Sequence, residues 1–324
     1  MIKLGSSIVG GQIFWINWLK VIAIILMVFG HAPIDSGTFR IVIYSFHMPL
    51  FFMISGFLYK KRLPMEEMKK CLRGLYLPYL VYVCLLYIYA LFNFGDEFSI
   101  KRVFCLFLGS LEDTSSVYSH LWFLIALMSM RMIVSFFTRI NVLILGIVVL
   151  LFNLICNNSL LQITYDVFQL HTAVLCLPFF VFGILLRQYN LLCLFPLQGK
   201  IRYVVLSLSV LFVAKYSILN GDIDTFKSIT GNSLPIFYCN ALIAGSLLFY
   251  SCKLSMDCDN KIIHGLAGGT LLILAFHKFF IGKFIELFGI SDPCFTLLFS
   301  VIIVLSFYYP IKFVHNTIPF MLGK

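Results

Sequence analysis

Charge is what this sequence has least of. Asp, Glu, Lys and Arg make up 12% of its 324 residues and hydrophobic residues 61%, whereas soluble domains average about 25% charged and 45–50% apolar. With a mean hydropathy of +0.98, an ordinary soluble protein is excluded. Carboxylates are scarcer still, 14 against 24 Lys and Arg. The resulting charge of +10 does not point to nucleic acid, because the cations gather in short loops between apolar segments, where they set membrane orientation. Ten cysteines include no C-x-x-C pair, and none lie closer than Cys252 and Cys258, which argues against a zinc site and against a disulfide framework. They read as small apolar packing residues. No small-residue cleavage site follows the first apolar run, which has only Lys3 before it, so the first helix is expected to stay as an anchor. Internal repeats and low-complexity tracts are also missing, and residues 1–324 are expected to form one transmembrane domain.

Long apolar runs are what the chain has in abundance. Residues 14–59 read as two membrane-spanning helices joined by a short polar hairpin, since a helix rising ~1.5 Å per residue needs about 20 residues to cross ~30 Å of hydrocarbon. Further spans are expected at 75–94, 120–137, 142–156, 171–186, 202–219, 234–251, 266–287 and 294–314. The expected fold is therefore all-α, a polytopic membrane protein of about ten transmembrane helices. Lys60, Lys61, Arg62, Lys69, Lys70 and Arg73 form the densest basic loop, which the positive-inside rule makes cytoplasmic. Both termini are then cytoplasmic, and the hairpin at 31–39 faces out. Arg139, Arg187, Lys200, Arg202, Lys253, Lys261, Lys312 and Lys324 fall on the same inner side. Residues 99–109 are too short to cross and are expected to lie on the outer surface as an interfacial helix.

Polar residues at membrane depth are costly, at least ~2.5 kcal/mol for a charge, so their default reading is functional. Asn17, Lys20, His31 and His47 all fall in the opening hairpin. Lys20 and His31 lie within about 20° of one helix face and ~16 Å apart along it, making that face a polar track. With this topology His31, His47, His120 and His277 converge on the outer half of the membrane, where the only carboxylate expected is Glu286. Imidazole is then the available base, with a pKa near working pH. Each of these histidines alone would also suit a hydrogen bond to a neighbouring helix, and His120, beside Trp122, would suit a helix end in an aromatic belt. His171, His264 and His315 read as interfacial. No local spacing supports a metal site. His31 and Asp35 form an H-x-x-x-D, but Pro33 stops the helix between them and leaves Asp35 reading as a turn residue.

The pattern N-x-L-K at Asn17–Lys20, Gly30–His31, and F-H-M-P-L-F-F-x-x-S-G-F from Phe46 to Phe57 resembles the membrane acyltransferase-3 family. The likeness is closest to its branch of sugar O-acetyltransferases similar to fucose 4-O-acetylases. Lys70-x-x-Arg73 leading into Leu75, Pro78 and Tyr79, H-L-W-F-L at His120–Leu124 and A-F-H at Ala275–His277 also match. The resemblance implies a bacterial inner-membrane enzyme that moves an acetyl group from acetyl-CoA to a sugar hydroxyl on the outer face, with His31 essential and Lys20 in the same signature. Two positions depart from it: Asn17 stands where Asp is common, and Lys70 replaces the first Arg of R-x-x-R, keeping a point charge but losing bidentate phosphate binding.

Physical chemistry supplies a matching division of labour. Lys70 and Arg73, with Lys69, would hold the CoA phosphates at an inner mouth, and the thioester would reach along the first helix toward His31. His31 or His47 would deprotonate a hydroxyl of a surface-polysaccharide or lipid-linked sugar, and Lys20, Asn17 or Trp122 would donate to the oxyanion. An acyl-histidine intermediate is the alternative route. His120, Trp122, His277 and Asn17 are expected to support the site. No permanently bound cofactor is expected; acetyl-CoA, a glycan acceptor and the bilayer are the expected partners. A secondary transporter or flippase for a polysaccharide precursor, or a non-catalytic membrane component of such an assembly, are the rival classes. Transporters usually show paired repeats with broken helices, whereas here the polar residues crowd one third of the chain.

Overall fold

The computed structural model describes residues 8–9, 12–32, 37–93, 97–111, 117–137, 140–156, 166–193, 199–288 and 292–324. A short antiparallel pair, β1 (Ile8–Val9) and β2 (Gln12–Ile13), leads into α1 (Phe14–His31). The second arm of the hairpin is α2 (Gly37–Tyr44) and α3 (His47–Phe57), broken at Ser45–Phe46. Next come α4 (Pro64–Cys71), a π-helical turn over Leu72–Tyr76, α5 (Leu77–Asn93) and α6 (Ile100–Phe107). The long apolar runs continue as α7 (Trp122–Phe136), α8 (Val142–Cys156), α9 (Leu170–Gln188) and α10 (Gly199–Asn220). A hairpin of β3 (Ile223–Asp224) and β4 (Ile229–Thr230) precedes α11 (Leu234–Ser255), α12 (Lys261–Gly268), α13 (Thr270–Phe288), α14 (Pro293–Ser306) and α15 (Tyr308–Thr317).

Helices dominate because hydrocarbon offers backbone groups no water, and a helix satisfies them within the segment. All ten expected apolar stretches are helical, but they are not ten equal spans. Among the described residues eight helices are long and apolar enough to cross a membrane. The stretch at 266–287 is a pair bent by 82° between α12 and α13, and α8 is a shorter apolar helix of 15 residues. The bent pair breaks at Gly269, where a side chain would collide with Ile311 of α15. The protein is thus an all-α polytopic membrane protein. α8 and α10 turn rows of Ile, Leu and Val outward, among them Ile147, Leu151, Ile155, Leu208 and Leu211, the surface expected of helices that face lipid.

The helix α1 packs against α2, α3, α11, α12, α13 and α14, so residues on its different faces look into different interior spaces. The partnership of α3 with α9 is closest. Side chains at Gly56 and Gly183 would overlap the backbone at Phe180 and Met53 respectively, so only glycine lets the two helices approach this far. Arg187 then reaches from α9 to donate to Phe57 O at 3.2 Å. Buried polar side chains tie further helices. Asn153 of α8 donates to Val174 O at 3.0 Å and to Tyr238 Oη at 2.9 Å, while Tyr238 donates to Leu175 O at 2.7 Å.

One element departs from its expected place. The start of α6 meets α5 where Ser99 N donates to Tyr87 Oη at 3.3 Å, but its end accepts from Tyr79 and Tyr76, through Leu106 O at 2.7 Å and Phe107 O at 2.8 Å. It therefore runs back alongside α5 instead of lying across its end. The next turn is held inside the bundle: Phe168 N donates to Leu108 O at 2.8 Å, Gln169 Nε2 to Gly109 O at 2.9 Å, and Ser129 Oγ of α7 to Phe168 O at 2.6 Å. Those tyrosine hydroxyls and carbonyls satisfy one another away from water, which is what lets a short helix enter.

Candidate active site

Two spaces lie along α1. Near its C-terminus, a pocket of about 140 Å³ is lined by His31, Tyr44, His47, His120, Trp122 and Lys278, with Arg40, Met48, Ser119 and the β3–β4 residues Asp224, Thr225 and Phe226. The break between α2 and α3 is what turns both Tyr44 and His47 toward it. Ser45 at that break is bonded to Ser217 of α10 at 2.8 Å, and Asn240 of α11 donates to both hydroxyls at 3.0 and 2.8 Å. Two helices, α10 and α11, thereby hold the corner that carries His47.

The four histidines form one cluster. Ring centroids are 6.2 Å apart for His31 and His47, 5.1 Å for His31 and His277, and 5.0 Å for His120 and His277. His277 lies behind the pocket wall, fully buried between His31 and His120. Hydrogen bonds to carbonyls fix three of the tautomers, since a carbonyl oxygen has no proton to give and the ring nitrogen must donate. His47 donates from Nδ1 to Ile43 O at 2.9 Å, His277 from Nδ1 to Leu274 O at 2.8 Å, and His120 from Nε2 to Ala275 O at 3.1 Å. The opposite nitrogens are left with a bare lone pair. Those of His120 and His277 are buried without a partner. His31 Nδ1 lies 2.9 Å from Tyr44 Oη, a contact in which either group can donate.

Over the pocket stands the β3–β4 hairpin. Phe226 stacks on Trp122 with centroids 6.0 Å apart and planes at 26°. Asn220 anchors the hairpin base, donating to Thr230 O at 2.8 Å and accepting from Ser233 N at 2.7 Å. Its Asp224 corrects the expectation of a layer free of carboxylates other than Glu286: a strand ladder too short to be read from sequence brings this one to the pocket wall. Asp35 and the side chain of Glu286 lie outside the described residues.

The second space, about 280 Å³, is lined by Lys20, Ser55, Tyr59, Lys60, Arg62, Lys70 and Arg131 around an apolar end at Phe51 and Phe123. Beside it a wider recess of about 410 Å³ is lined by Lys69, Lys70, Arg73, Gly74, Arg131 and Gly323. Lys70 and Arg131 belong to both. The π-helical turn, closed by Leu77 N to Leu72 O, carries Arg73 and Gly74 to this recess, and such turns recur at functional sites. Arg131 of α7 is oriented by Glu67: its Nε donates to Glu67 Oε1 at 2.6 Å and a second nitrogen pairs with the same oxygen. Arg62 pairs with Glu67 Oε2 at 3.3 Å, and the Glu67 side chain is completely buried. Tyr59 Oη is buried without a partner on the wall of this space. Burial, and secondarily the charge of Glu67, pushes its hydroxyl up to about 12, so it stays a neutral O–H donor.

Between the two spaces lies a layer of rings. Phe52 sits 4.9 Å from Phe123 and 6.1 Å from Trp122, and Phe51 sits 5.7 Å from Phe123. Met48 and Trp122 face the histidines, while Phe51 and Phe123, one turn or less away, face the cations.

Of the residues singled out from the sequence, His31, His47, His120, Trp122 and His277 meet at one end, and Lys20, Lys70 and Arg73 at the other. Asn17 joins neither. Its amide lies 3.4 Å from His264 Nδ1, and 14 residues of helix put it about 21 Å along the axis from His31. The same geometry, about 16 Å for Lys20, removes both as donors to an oxyanion beside His31. Sequence reasoning missed Tyr44, Arg131, Glu67 and Lys278. Arg131 had a signal, a lone charge in the run MSMRMIV, and so did Lys278, next to His277. Among the described residues no three His, Cys, Asp or Glu side chains are placed to hold a metal ion. A cavity of about 770 Å³ between α7, α8 and α9 near Arg187 touches none of the histidines.

A family model described as an acyltransferase domain, acyltransferase-3, matches residues 13–312. No curated protein and no solved structure matches the chain. The matched region runs from the start of α1 into α15 and takes in both polar spaces and the ring layer between them, so the chain belongs to the acyltransferase-3 family and is a membrane acyltransferase.

Proposed function

We propose that the protein transfers an acetyl group from acetyl-CoA to a hydroxyl of a cell-surface or lipid-linked sugar, across a bacterial inner membrane, with the cationic end facing the cytoplasm. The observation that carries this reading is the alignment along α1 of a cation-lined space, suited to a nucleotide phosphate donor, with a pocket in which His47 and His120 each keep a ring nitrogen bare and His31 meets the Tyr44 hydroxyl.

Lys69, Lys70, Arg73 and Arg131 hold the CoA phosphates, Arg131 through the guanidinium face that Glu67 leaves open. Lys20 and Tyr59 line the path of the flexible arm. The arm brings the thioester past Phe123 to the histidine pocket. His31, with its proton on Nδ1 given to Tyr44, accepts the sugar hydroxyl proton at Nε2 as the oxygen attacks the carbonyl carbon. Lys278 and Trp122 donate to the oxyanion, since both face the pocket. Collapse forms the ester C–O bond and breaks C–S, and the imidazolium returns its proton to the departing thiolate. His47 and His120 orient the acceptor through their bare nitrogens, and His277 packs behind His31.

The test is turnover by purified protein. His31→Gln keeps a hydrogen-bonding side chain but cannot take up a proton. It should lower acetyl transfer about 100-fold or more, in the range a general base supplies, while acetyl-CoA still binds. Near-normal turnover in a well-expressed His31→Gln protein would transfer the role of base to His47.

A further inference from the structure

We infer that Asp224 is a specificity-determining residue of the transfer: it accepts a hydrogen bond from a second hydroxyl of the acceptor, next to the one that His31 deprotonates. The inference rests on the acyl-transfer reading above and adds a requirement to it, that the acceptor be a diol at the reacting position. The strands β3 and β4 are two residues each, with Ile223 opposite Thr230 and Asp224 opposite Ile229, and such a hairpin would be marginal alone. Ties at its base, its pocket side and its turn make a fixed strap of it. Asn220 holds the base through Thr230 O and Ser233 N. Phe226 holds the pocket side by stacking on Trp122, and Ser228 Oγ at the turn meets His171 Nδ1 of α9 at 2.9 Å. Asp224 therefore lines the pocket from a backbone that is held in place around it.

Its chemistry is the opposite of what the other charged side chains there offer. Arg40 and Lys278 can only donate, whereas an ionised carboxylate can only accept. One oxygen, Oδ1, is engaged within the turn, accepting from Lys227 N at 3.4 Å. Among the described residues no ion pair closes on the carboxylate, although Arg40 and Lys278 line the same space. Those cations weigh against an ammonium as its partner, and the carboxylate itself weighs against an anion, which leaves a neutral donor. The acceptor already presents one hydroxyl to His31, and in a pocket of about 140 Å³ a neighbouring hydroxyl is the donor within reach. The flat faces of Trp122 and Phe226 beside it suit the C–H side of a ring whose edge carries those hydroxyls. A site built to bond a hydroxyl rejects an analogue without it far more strongly than an apolar wall rejects a methylene, because the polar group is left unpaired once the ligand displaces its water.

The full-length protein in phosphatidylcholine nanodiscs would be given acetyl-CoA with the cis or trans isomer of 1,2-cyclohexanediol, or with cyclohexanol, which keeps the ring and loses the second hydroxyl. Ester is measured by mass spectrometry. Wild type should use the better diol isomer about tenfold more efficiently in kcat/KM than cyclohexanol, beyond the doubling that two hydroxyls give by statistics. Asp224→Asn keeps the shape but replaces one accepting oxygen with a donor, and the ratio should fall to that doubling. Asp224→Ser removes the carboxylate by another route and should give the same fall, with titration of acetyl-CoA showing that each variant is folded. A wild-type ratio no higher than the doubling, or an unchanged ratio in both variants, would overturn the role of Asp224 and leave the transfer reading standing. Ester formed on a glycolipid extract of the cells but on neither cyclohexane alcohol would overturn it as well. No ester on any of these would overturn the transfer reading itself.

Discussion

The proton on His31 is controlled by one neighbour. His47, His120 and His277 have their tautomers fixed by carbonyls, but the partner of His31 Nδ1 is the Tyr44 hydroxyl, 2.9 Å away, which can give or receive. Only when His31 donates is Nε2 free to act as a base. Arg40 packs its guanidinium 5.1 Å over the ring of this same tyrosine. Tyr44→Phe removes that acceptor, so kcat should fall about tenfold, equivalent to ~1.4 kcal/mol, with KM for acetyl-CoA nearly unchanged. Combined with His31→Gln it should add almost nothing, because both changes interrupt one unit; full additivity in steady-state kinetics would separate the two residues. At the other end the decisive residue is Arg131, which serves Glu67 and the donor space together. Arg131→Lys keeps the charge but loses the planar fork, and a titration should show acetyl-CoA binding weakened roughly 5- to 30-fold, about 1–2 kcal/mol. Glu67→Ala strips the shared counter-charge from two guanidinium groups and should cost about 3–5 kcal/mol of stability, visible as a lowered Tm of the purified protein.

Helices and their packing decide how the two ends communicate. The aromatic layer of Phe52, Trp122 and Phe123 lies between the cations and the histidines, so on the proposed reading the donor arm has to displace at least Phe123, and the layer would keep water from the thioester. Phe123→Ala, by opening the layer, should raise CoA release in the absence of any acceptor several-fold over wild type, measured as free thiol. It should also cost about 3–5 kcal/mol of stability. A variant that folds and shows no increase would mean that the arm follows another path. Trp122 was expected to support the site, and Phe52 and Phe123 fall in the matched motifs, but nothing local in the sequence brings the three rings together as a layer. The spans themselves were legible, since hydrocarbon thickness sets the length of a run and nothing else is needed to read it. Four histidines at matching depths were legible for the same reason. Asn17, expected to support the site, was misjudged because 14 residues of helix rise put it about 21 Å from His31, where its amide meets His264 instead. α6 was misplaced because its re-entry depends on hydroxyls from Tyr76 and Tyr79, two residues of another helix, and no local pattern announces such a partner.

At the scale of the whole molecule, the chemistry has a direction only if the orientation is right. Lys60, Lys61, Arg62, Lys69, Lys70 and Arg73 sit between α3 and α5, and Arg187, Lys253 and Lys261 terminate or begin helices at the same end. At the opposite end the cations Arg40 and Lys278 line the histidine pocket. Setting these two aside strengthens the charge bias on which the proposed orientation rests, with the cation-lined space toward the cytoplasm. Lys227, exposed on the β3–β4 turn above the pocket, and Met65, 59% exposed on α4, mark the two faces. With the exposed Cys84, Cys239, Cys258 and Cys294 replaced by serine, a membrane-impermeant maleimide added to intact cells should label Lys227→Cys and leave Met65→Cys untouched until the membrane is permeabilised. The β3–β4 turn is tied to the pocket by Phe226 and Trp122, so occupying the acceptor site should also slow labelling at position 227. Labelling of Met65→Cys in sealed cells would reverse the orientation. The histidines would then face the cytoplasm, and acetyl-CoA would have to arrive from the side on which it is not made.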